Sequence, residues 1–359
     1  MYCGREKVSL FLLIIFFFGT ILPLDCGNAL ACSRVLSADN GQAVLVGRNF
    51  DWPVDTGTEL WVFPRGMKRS GLVKNPLTWT SKYGSLAVVS FLMPQKGGVA
   101  DGMNEKGLAA NTLWLDKSDY GARNDRLPGL SVIMWAQYFL DNFATVDEAV
   151  RSLKEPSYQL VTLNVSDGRT VITADLHLSL EDRTGDSAII EYVGGKLIVH
   201  HDRNYTVMTN EPPFEKQLEN LRQYEGFGGN TPLPGTTQPQ DRFVRASYYL
   251  KYLPKPHNRR EALAGVFSVT RNVSQPFNAY IDPQHPNTSA TLWRVVADLT
   301  HDTYYFESTT SPNVIWVELN QFDLKEGFPC MKLDLRNNPD FSGDVTKQFV
   351  EAKPFEFVH

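Results

Sequence analysis

A cysteine stands directly after a small-residue triplet near the start of the sequence. Cys32 follows Ala29-Leu30-Ala31, which has the A-x-A pattern of a signal-peptide cleavage site. Cleavage there would free a residue with a thiol of reference pKa about 8.5 and an α-amine of about 7.7–8.0. Such an amine can take the thiol proton and later return it to a leaving amine. We therefore expect nucleophilic thiol chemistry that needs no histidine.

The segment before Cys32 has the other features of an export signal. Arg5 and Lys7 precede an apolar run over 8–24, which is shorter than the roughly 20 residues that comfortably span a bilayer. Residues 1–31 are predicted to be a signal peptide and 32–359 a single domain, so we expect a periplasmic or secreted protein. The alternatives are a retained membrane anchor and a lipid-modified Cys32, because Ala-Leu-Ala-Cys is a loose lipobox.

Composition excludes several classes of function. The chain has 359 residues, 42% of them apolar, and a net charge of −5, so it has no basic footprint for nucleic acid. There is no Walker-type loop and no H-E-x-x-H helix. His177, His200 and His201 have no partners at metal-ligand spacing, so no metal or cofactor is predicted. Beyond the leader only Cys32 and Cys330 remain, which leaves one disulfide open but no disulfide framework.

A short hairpin positions the thiol. Two apolar-rich runs flank Asn40-Gly41, the strongest short hairpin signal. A two-residue turn there pairs Cys32 with Asn49 and places Asp51 two residues along on the same face. Arg48 then lies on the opposite face, and a one-residue bulge would reverse that assignment.

The rest of the chain alternates blocks of strands and helices. A second hairpin is predicted at 99–113 around a turn at 104–107, with Trp114 at its far end. Thr145 begins a capping box for a short helix. The remaining predictions are helices over 130–143, 214–223, 242–252 and 259–270, an antiparallel meander over 161–209, a candidate lid loop over 226–239, and strands over 292–299, 304–308 and 314–319. The pattern favours an α+β layered domain with sheets packed together and helices outside them.

Four segments carry a family resemblance. They are GRNFD at 47–51, ADGMNEKGL at 100–108, TNEP at 209–212, and LPG at 233–235 leading to DRFVR at 241–245. With Cys32 in front, they resemble the choloylglycine hydrolase and penicillin V acylase family of N-terminal-nucleophile (Ntn) hydrolases, in family order and over most of residues 32–359.

The resemblance implies a fold and a set of roles. The fold would be a four-layer αββα sandwich of two antiparallel sheets flanked by helices. Cys32 would be the nucleophile and its own amine the base, and Asp51 would hold that amine. Arg48 and Arg242 would lie beside the thiol, with Arg245 a rival for the second position. Asn210 would supply one oxyanion donor through its side-chain amide.

Trp114 would supply the second oxyanion donor through its backbone N–H. With a tryptophan at this position, the chain resembles the Gram-negative branch of the family. This resemblance favours acyl groups with an aromatic or long aliphatic body over conjugated bile salts. An aromatic group that consists of Phe50, Trp52, Trp61, Trp114 and Trp135 could partly line an acyl cavity, although a plain hydrophobic core would explain most of it.

The function implied is an exported amidohydrolase that cleaves a linear C–N amide through a thioester on Cys32. Penicillin V, an N-acyl homoserine lactone and a conjugated bile salt are the substrate classes, and the partner is a small amide with a hydrophobic acyl group. The resemblance also implies a homotetramer. The alternatives are an N-acylethanolamine or ceramide-type lipid amidase and an inactive surface lipoprotein of the same fold.

Overall fold

The computed structural model describes residues 32–358 apart from 94–95, 117, 167–170, 277–288, 312 and 337–339. The signal peptide expected over 1–31 lies outside the described residues. In chain order the strands are β1 (Cys32–Ser37), β2 (Leu45–Trp52), β3 (Thr58–Phe63), β4 (Lys68–Ser70), β5 (Thr78–Thr80), β6 (Ser85–Met93), β7 (Lys96–Asn104), β8 (Leu108–Trp114), β9 (Gly129–Ser131), β10 (Gln159–Val161), β11 (Asn164–Ser166), β12 (Val171–Thr173), β13 (Leu176–Asp182), β14 (Ser187–Val193), β15 (Lys196–His201), β16 (Val207–Met208), β17 (Ala290–Asp298), β18 (Thr303–Ser308), β19 (Val314–Glu318), β20 (Cys330–Asp334), β21 (Gly343–Asp344), β22 (Val350–Ala352) and β23 (Glu356–Phe357). The α-helices are α1 (Trp135–Asn142), α2 (Val146–Ser152), α3 (Phe214–Leu221), α4 (Pro239–Lys251) and α5 (Arg259–Asn272).

Two large sheets organise the part of the chain that the structure describes. The first has the order β16-β1-β2-β17-β18-β19-β21, and the second has the order β15-β14-β13-β8-β7-β6-β3-β20-β22 with β23 beside β7. Their long strands pair antiparallel, and the short strands β21 and β23 add in parallel. Helices α4 and α5 pack on the first sheet and α1 and α2 on the second. This is the four-layer αββα sandwich that the resemblance implies.

Close approach of a helix fixes the strand that carries the charged candidates. Gly47 lies in the middle of β2, and a Cβ there would be 2.7 Å from Thr270 Cγ2 and 2.7 Å from Val266 Cγ1. Any larger residue would push α5 off the sheet, because protein interiors are close-packed. Glycine at this position therefore lets β2 lie directly beneath α5.

The register of the first hairpin differs from the expected one. Cys32 pairs with Phe50 instead of Asn49, and Ser37 pairs with Leu45. The reason is Asn40, whose side-chain amide donates to the carbonyls of Ser37 and Ala43. A seven-residue loop over 38–44 thus replaces the two-residue turn.

That loop contains an odd number of residues, so the pairing shifts by one and the two faces of the strand exchange. Arg48 shares the Cys32 face, which the expected register did not give it. The Asp51 side chain belongs to the other face.

Other predictions are confirmed or corrected by the structure. The hairpin of β7 and β8 forms as predicted, and Thr145 caps α2 by accepting from the Glu148 N–H. The helix predicted over 130–143 begins only at Trp135, because Gly129–Ser131 pairs with β10. No strand was predicted after 319, whereas β20 pairs with β3 inside the second sheet.

Two smaller findings concern the cysteines and the helices. Cys32 and Cys330 are both free and buried, so the disulfide left open by the sequence does not form. Within the described ranges, no helix has the length and apolar character needed to cross a membrane.

Candidate active site

Cys32 begins β1 at the meeting point of the two sheets. It is buried, with 4% of its surface exposed. Its Sγ lies 3.8 Å from Arg48 Nη2 and 4.0 Å from the backbone oxygen of Asp51. Its backbone N–H donates to Asn210 Oδ1 at 2.7 Å. Separate groups therefore contact the sulfur and the nitrogen of the same residue.

Arg48 is held in place by the second sheet. Its Nη1 donates to the backbone oxygen of Ala100 at 2.7 Å and lies 3.3 Å from Asp101 Oδ2, and its Nη2 donates to the backbone oxygen of Thr112 at 2.6 Å. These contacts hold Nη2 at 3.8 Å from the Cys32 sulfur. The guanidinium is 1% exposed, so its charge acts on the thiol with little screening by water.

Arg242 approaches the cysteine from the opposite side. It lies in the first turns of α4, and its Nη1 donates to the backbone oxygen of Cys32 and, at 2.6 Å, to Ser33 Oγ. Its Nη2 donates to Asn210 Oδ1 at 2.7 Å. Arg245 donates instead to backbone oxygens of the loop before α4, among them that of Thr236. Of the two candidate arginines on α4, Arg242 is the one in contact with Cys32.

Asn210 joins three parts of the site through one side chain. Its Oδ1 accepts from the Cys32 N–H and from Arg242, and its Nδ2 donates to the backbone oxygen of Trp114 at 2.7 Å. A primary amide carries two N–H donors, so one is still free for a substrate oxygen. Asn210 and Trp114 are thus directly hydrogen-bonded to each other.

Asp51 is fully buried, and only one of its two carboxylate oxygens has a hydrogen-bond partner among the described residues. Its Oδ1 accepts from Thr291 Oγ1 at 2.6 Å, whereas its Oδ2 has no hydrogen-bond partner among the described residues. Burial raises the pKa of this carboxyl to about 7, although the positive charges of Arg242 and Arg48 oppose the rise. An unpartnered buried carboxylate oxygen is costly, so a donor at this position would stabilise the site.

The thiol is also shifted by its surroundings. Burial raises the pKa of Cys32, Arg48 lowers it, and the carboxylate of Asp51 raises it again. Burial also lowers the pKa of the Arg242 guanidinium. With residue 31 attached, the surroundings therefore favour the neutral thiol, and a base is needed to make the thiolate nucleophile.

A narrow apolar cavity of about 60 Å³ opens onto the sulfur. Apolar side chains dominate its lining, which includes Phe50, Trp52, Trp114, Ile133 and Leu176. Two of the lining residues, Trp52 and Trp114, have buried indole N–H groups without a hydrogen-bond partner among the described residues.

Two of the tryptophans expected in the cavity lie elsewhere. Trp61 and Trp135 belong to a second core between the second sheet and helices α1 and α2. Alternation along a strand and periodicity along a helix place an aromatic residue on a buried face but do not show which of two cores it joins.

Cavity size alone would locate the site wrongly. A larger cavity of about 560 Å³ lies between α3, α4, α5 and the loop after β1, lined by residues such as Leu36, Phe214 and Leu250. None of the candidate residues borders it.

In the described ranges no group of three or more His, Cys, Asp or Glu side chains could hold a metal ion.

Sequence reasoning missed the residues that hold the candidates. Thr291 pairs with Asp51 across adjacent strands, and Ser33 accepts from Arg242. Asp101 lies within a recognised segment, but nothing in the sequence showed that it contacts Arg48. The segment that carries Asp101 was therefore recognisable from the sequence, whereas no sequence pattern pointed to Thr291.

Comparison with known proteins gives consistent results. A family model described as linear amide C–N hydrolases, choloylglycine hydrolase family, matches residues 32–341. A penicillin V acylase of Pectobacterium atrosepticum is 45% identical over 94% of this chain and 96% of its own length. A bile salt hydrolase/transferase of Clostridium perfringens is 28% identical over 64% of this chain and 75% of its own.

Solved structures give the same grouping. The structure of a penicillin V acylase from Agrobacterium tumefaciens superimposes with a TM-score of 0.80 at 45% identity, covering 91% of this chain and 99% of that chain. A conjugated bile acid hydrolase from Clostridium perfringens shares the fold, with a TM-score of 0.72 at 23% identity over 87% of this chain and 98% of that chain.

Proposed function

Because the chain belongs to the choloylglycine hydrolase family of linear amide C–N hydrolases, we propose that it hydrolyses its substrate through a thioester on Cys32. The observation that carries this proposal is the pair of contacts on one residue. Arg48 faces the sulfur of Cys32, and Asn210 accepts from its nitrogen at 2.7 Å. Both atoms that the reaction needs are already held.

Removal of residues 1–31 would turn the Cys32 nitrogen into an amine. This amine takes the thiol proton, the thiolate attacks the amide carbon, and the protonated amine then gives its proton to the leaving nitrogen. Water next attacks the thioester, with the amine again as base, and releases the acid. Asp51 Oδ2, which is buried and has no partner in the described part of the chain, is the acceptor that would orient the amine.

Two donors would stabilise the tetrahedral oxyanion. The second N–H of the Asn210 amide is one, and the backbone N–H of Trp114 is the other. Arg48 stabilises the thiolate, and Arg242 fixes the backbone of Cys32 and the oxygen of Asn210. Removal of one oxyanion donor typically costs about 2.7–4 kcal/mol of transition-state stabilisation.

We propose that the preferred substrate is an amide whose acyl group has an apolar body and an acceptor oxygen. The cavity on the sulfur is lined mainly by apolar groups, and two of its lining residues, Trp52 and Trp114, have indole N–H groups that lack partners among the described residues. An aryloxyacetyl amide such as penicillin V offers both an aromatic ring and an ether oxygen. N-acyl homoserine lactones are the second class, and conjugated bile salts are the third.

We further propose that signal peptidase releases Cys32 during export to the periplasm or the medium, and that the processed chain is a homotetramer. Mass spectrometry of the mature N-terminus tests the first proposal, because a chain starting at a lipid-modified Cys32 would contradict it. Light scattering of the purified protein tests the second, and a monomer at assay concentration would contradict it.

The decisive experiment compares Cys32→Ser with the wild-type protein on penicillin V. We expect Cys32→Ser to lose almost all turnover while keeping its unfolding temperature. The panel adds penicillin G, glycocholate, a long-chain acyl homoserine lactone and an N-acylethanolamine, and the acyl-enzyme is trapped by mass spectrometry at low pH. Full activity of Cys32→Ser would contradict the thioester mechanism.

A further inference from the structure

A buried charged cluster lies behind Asn210 and has no part in the reaction described above. His177 lies on β13 and Glu191 on β14, and each side chain is 1% exposed. Both face the segment that follows β16, where Thr209 directly precedes Asn210. No pattern in the sequence pointed to a role for His177.

The two ring nitrogens of His177 contact different partners. Its Nδ1 lies 3.1 Å from Glu191 Oε1, and its Nε2 lies 2.8 Å from the backbone oxygen of Thr209. A carbonyl oxygen only accepts, so Nε2 carries a hydrogen. Burial alone would raise the pKa of Glu191, but the side chains of His177 and His200 and the backbone N–H of Phe214 help lower it to about 2, so this residue is a carboxylate. The short distance between Nδ1 and this carboxylate, together with the Nε2 hydrogen bond to Thr209, fixes the orientation of the His177 ring.

The same cluster fixes the whole turn around Asn210. Glu191 also accepts the backbone N–H of Phe214, at 3.1 Å, at the start of α3. From α3, Gln217 Nε2 donates to the backbone oxygen of Asn210 at 3.3 Å. The backbone on both sides of Asn210 is thus tied to the second sheet and to α3, while its side chain points at Cys32.

We propose that His177 and Glu191 are positioning residues for Asn210. They hold the backbone of Thr209 so that the Asn210 amide meets both the Cys32 nitrogen and the substrate oxygen. This inference rests on the proposed function, because the position of Asn210 matters only if Cys32 reacts. The His177 ring touches neither Cys32 nor the cavity that opens onto it, so its effect would reach the reaction through Thr209 and Asn210.

The test compares His177→Leu with two replacements of Glu191. Leucine removes both hydrogen bonds of His177, and a displacement of about 1 Å at a catalytic group can cost on the order of a hundredfold in rate. We expect kcat to fall about tenfold to a hundredfold with little change in KM. Turnover is divided by the amount of iodoacetamide-reactive Cys32, so that loss of folded protein does not count as loss of rate.

Glu191→Gln is the conservative variant that should rescue the arrangement. The glutamine oxygen can accept from Phe214, its amide can donate to Nδ1 of a neutral His177, and Nε2 still donates to Thr209. We expect Glu191→Gln to stay near the wild-type turnover and Glu191→Ala to fall with His177→Leu. If His177→Leu does not accumulate as folded protein, this Gln and Ala pair decides the question.

A matched control separates positioning from stability. Asp141 on α1 is also buried, and it accepts hydrogen bonds from Trp79 and Gln137 far from Cys32. Asp141→Asn should lower the unfolding temperature yet keep turnover per reactive thiol. Wild-type turnover per reactive thiol in both His177→Leu and Glu191→Ala would overturn this inference. If Cys32→Ser is inactive in the same assays, the proposed function still stands. A fully active Cys32→Ser would overturn both the inference and the proposed function.

Discussion

The two arginines beside Cys32 use their hydrogen bonds differently. Arg48 donates to two backbone oxygens of the second sheet and leaves Nη2 3.8 Å from the sulfur. Arg242 donates to the backbone oxygen of Cys32 and to Asn210. One charge therefore acts on the thiolate and the other orders the chain that carries it. Lysine could not replace either, because it lacks the planar fork of donors.

The proposed mechanism predicts a pH dependence through Asp51. Burial raises the pKa of this carboxyl to about 7, so it gains a proton and loses its charge as the pH falls through 7. The amine that removal of residues 1–31 would create at Cys32 gains a proton over a similar range, which would remove the base. We expect kcat/KM on a non-ionising amide to be highest above pH 7 and, because both groups are then protonated, to fall by up to about a hundredfold per pH unit below pH 6.

The measurement is a pH profile of kcat/KM between pH 5 and 9. Asp51→Asn is the control, and it should be slow throughout because a neutral amide holds a protonated amine poorly. Activity that stays constant down to pH 5 would contradict the assignment of Asp51.

Among the elements, the loop between β1 and β2 determines which side chains meet the thiol. Asn40 donates to the backbone oxygens of Ser37 and Ala43 and accepts from the backbone N–H groups of Gln42 and Ala43. Gly41 beside it has a φ of +78°, which a glycine adopts without strain. One polar side chain thus replaces a backbone turn and sets the register of the strand pair.

Replacing Asn40 tests this claim. Asn40→Ala removes all of these hydrogen bonds, so we expect a loss of about 1–3 kcal/mol in the free energy of unfolding. Asn40→Asp keeps the acceptor for Gln42 and Ala43 and should lose less. Urea unfolding of the two variants gives the difference, and equal stability of Asn40→Ala and wild type would show that the loop does not depend on this side chain.

Predictability divides between local and distant contacts. The hairpin around 104–107 and the cap at Thr145 were predicted correctly because their hydrogen bonds join residues close in the sequence. The first hairpin was off by one residue because a side chain formed the turn. The contact of Thr291 with Asp51 joins residues 240 positions apart, and no spacing rule reaches that far.

At the scale of the whole molecule, buried ion pairs cross between the sheets. Arg34 on β1 lies 2.9 Å from Glu181 on β13, and Arg48 on β2 lies 3.3 Å from Asp101 on β7. Tyr304 on β18 also donates to Asp101. The two sheets are therefore aligned by charge as well as by apolar packing, and the thiol lies beside one of these pairs.

A double-mutant cycle measures what the Arg34–Glu181 pair contributes. Glu181→Leu leaves Arg34 as an unpaired buried charge, so we expect a loss of about 3–5 kcal/mol in unfolding free energy. Arg34→Met combined with Glu181→Leu removes both charges and should recover most of that loss. If the double variant has the same unfolding free energy as Glu181→Leu, the loss does not come from an unpaired charge. The ion pair itself would then stabilise the molecule.

The hydrogen bond between the Cys32 nitrogen and Asn210 forms while residue 31 is still covalently attached. Under the proposed mechanism the uncut chain is a latent catalyst, since an amide nitrogen accepts no proton at neutral pH and cannot act as the base. Activation would then require the hydrolysis of one peptide bond, with the contact between the Cys32 nitrogen and Asn210 already in place. A recombinant chain that retained a single extra methionine would fold normally and remain silent.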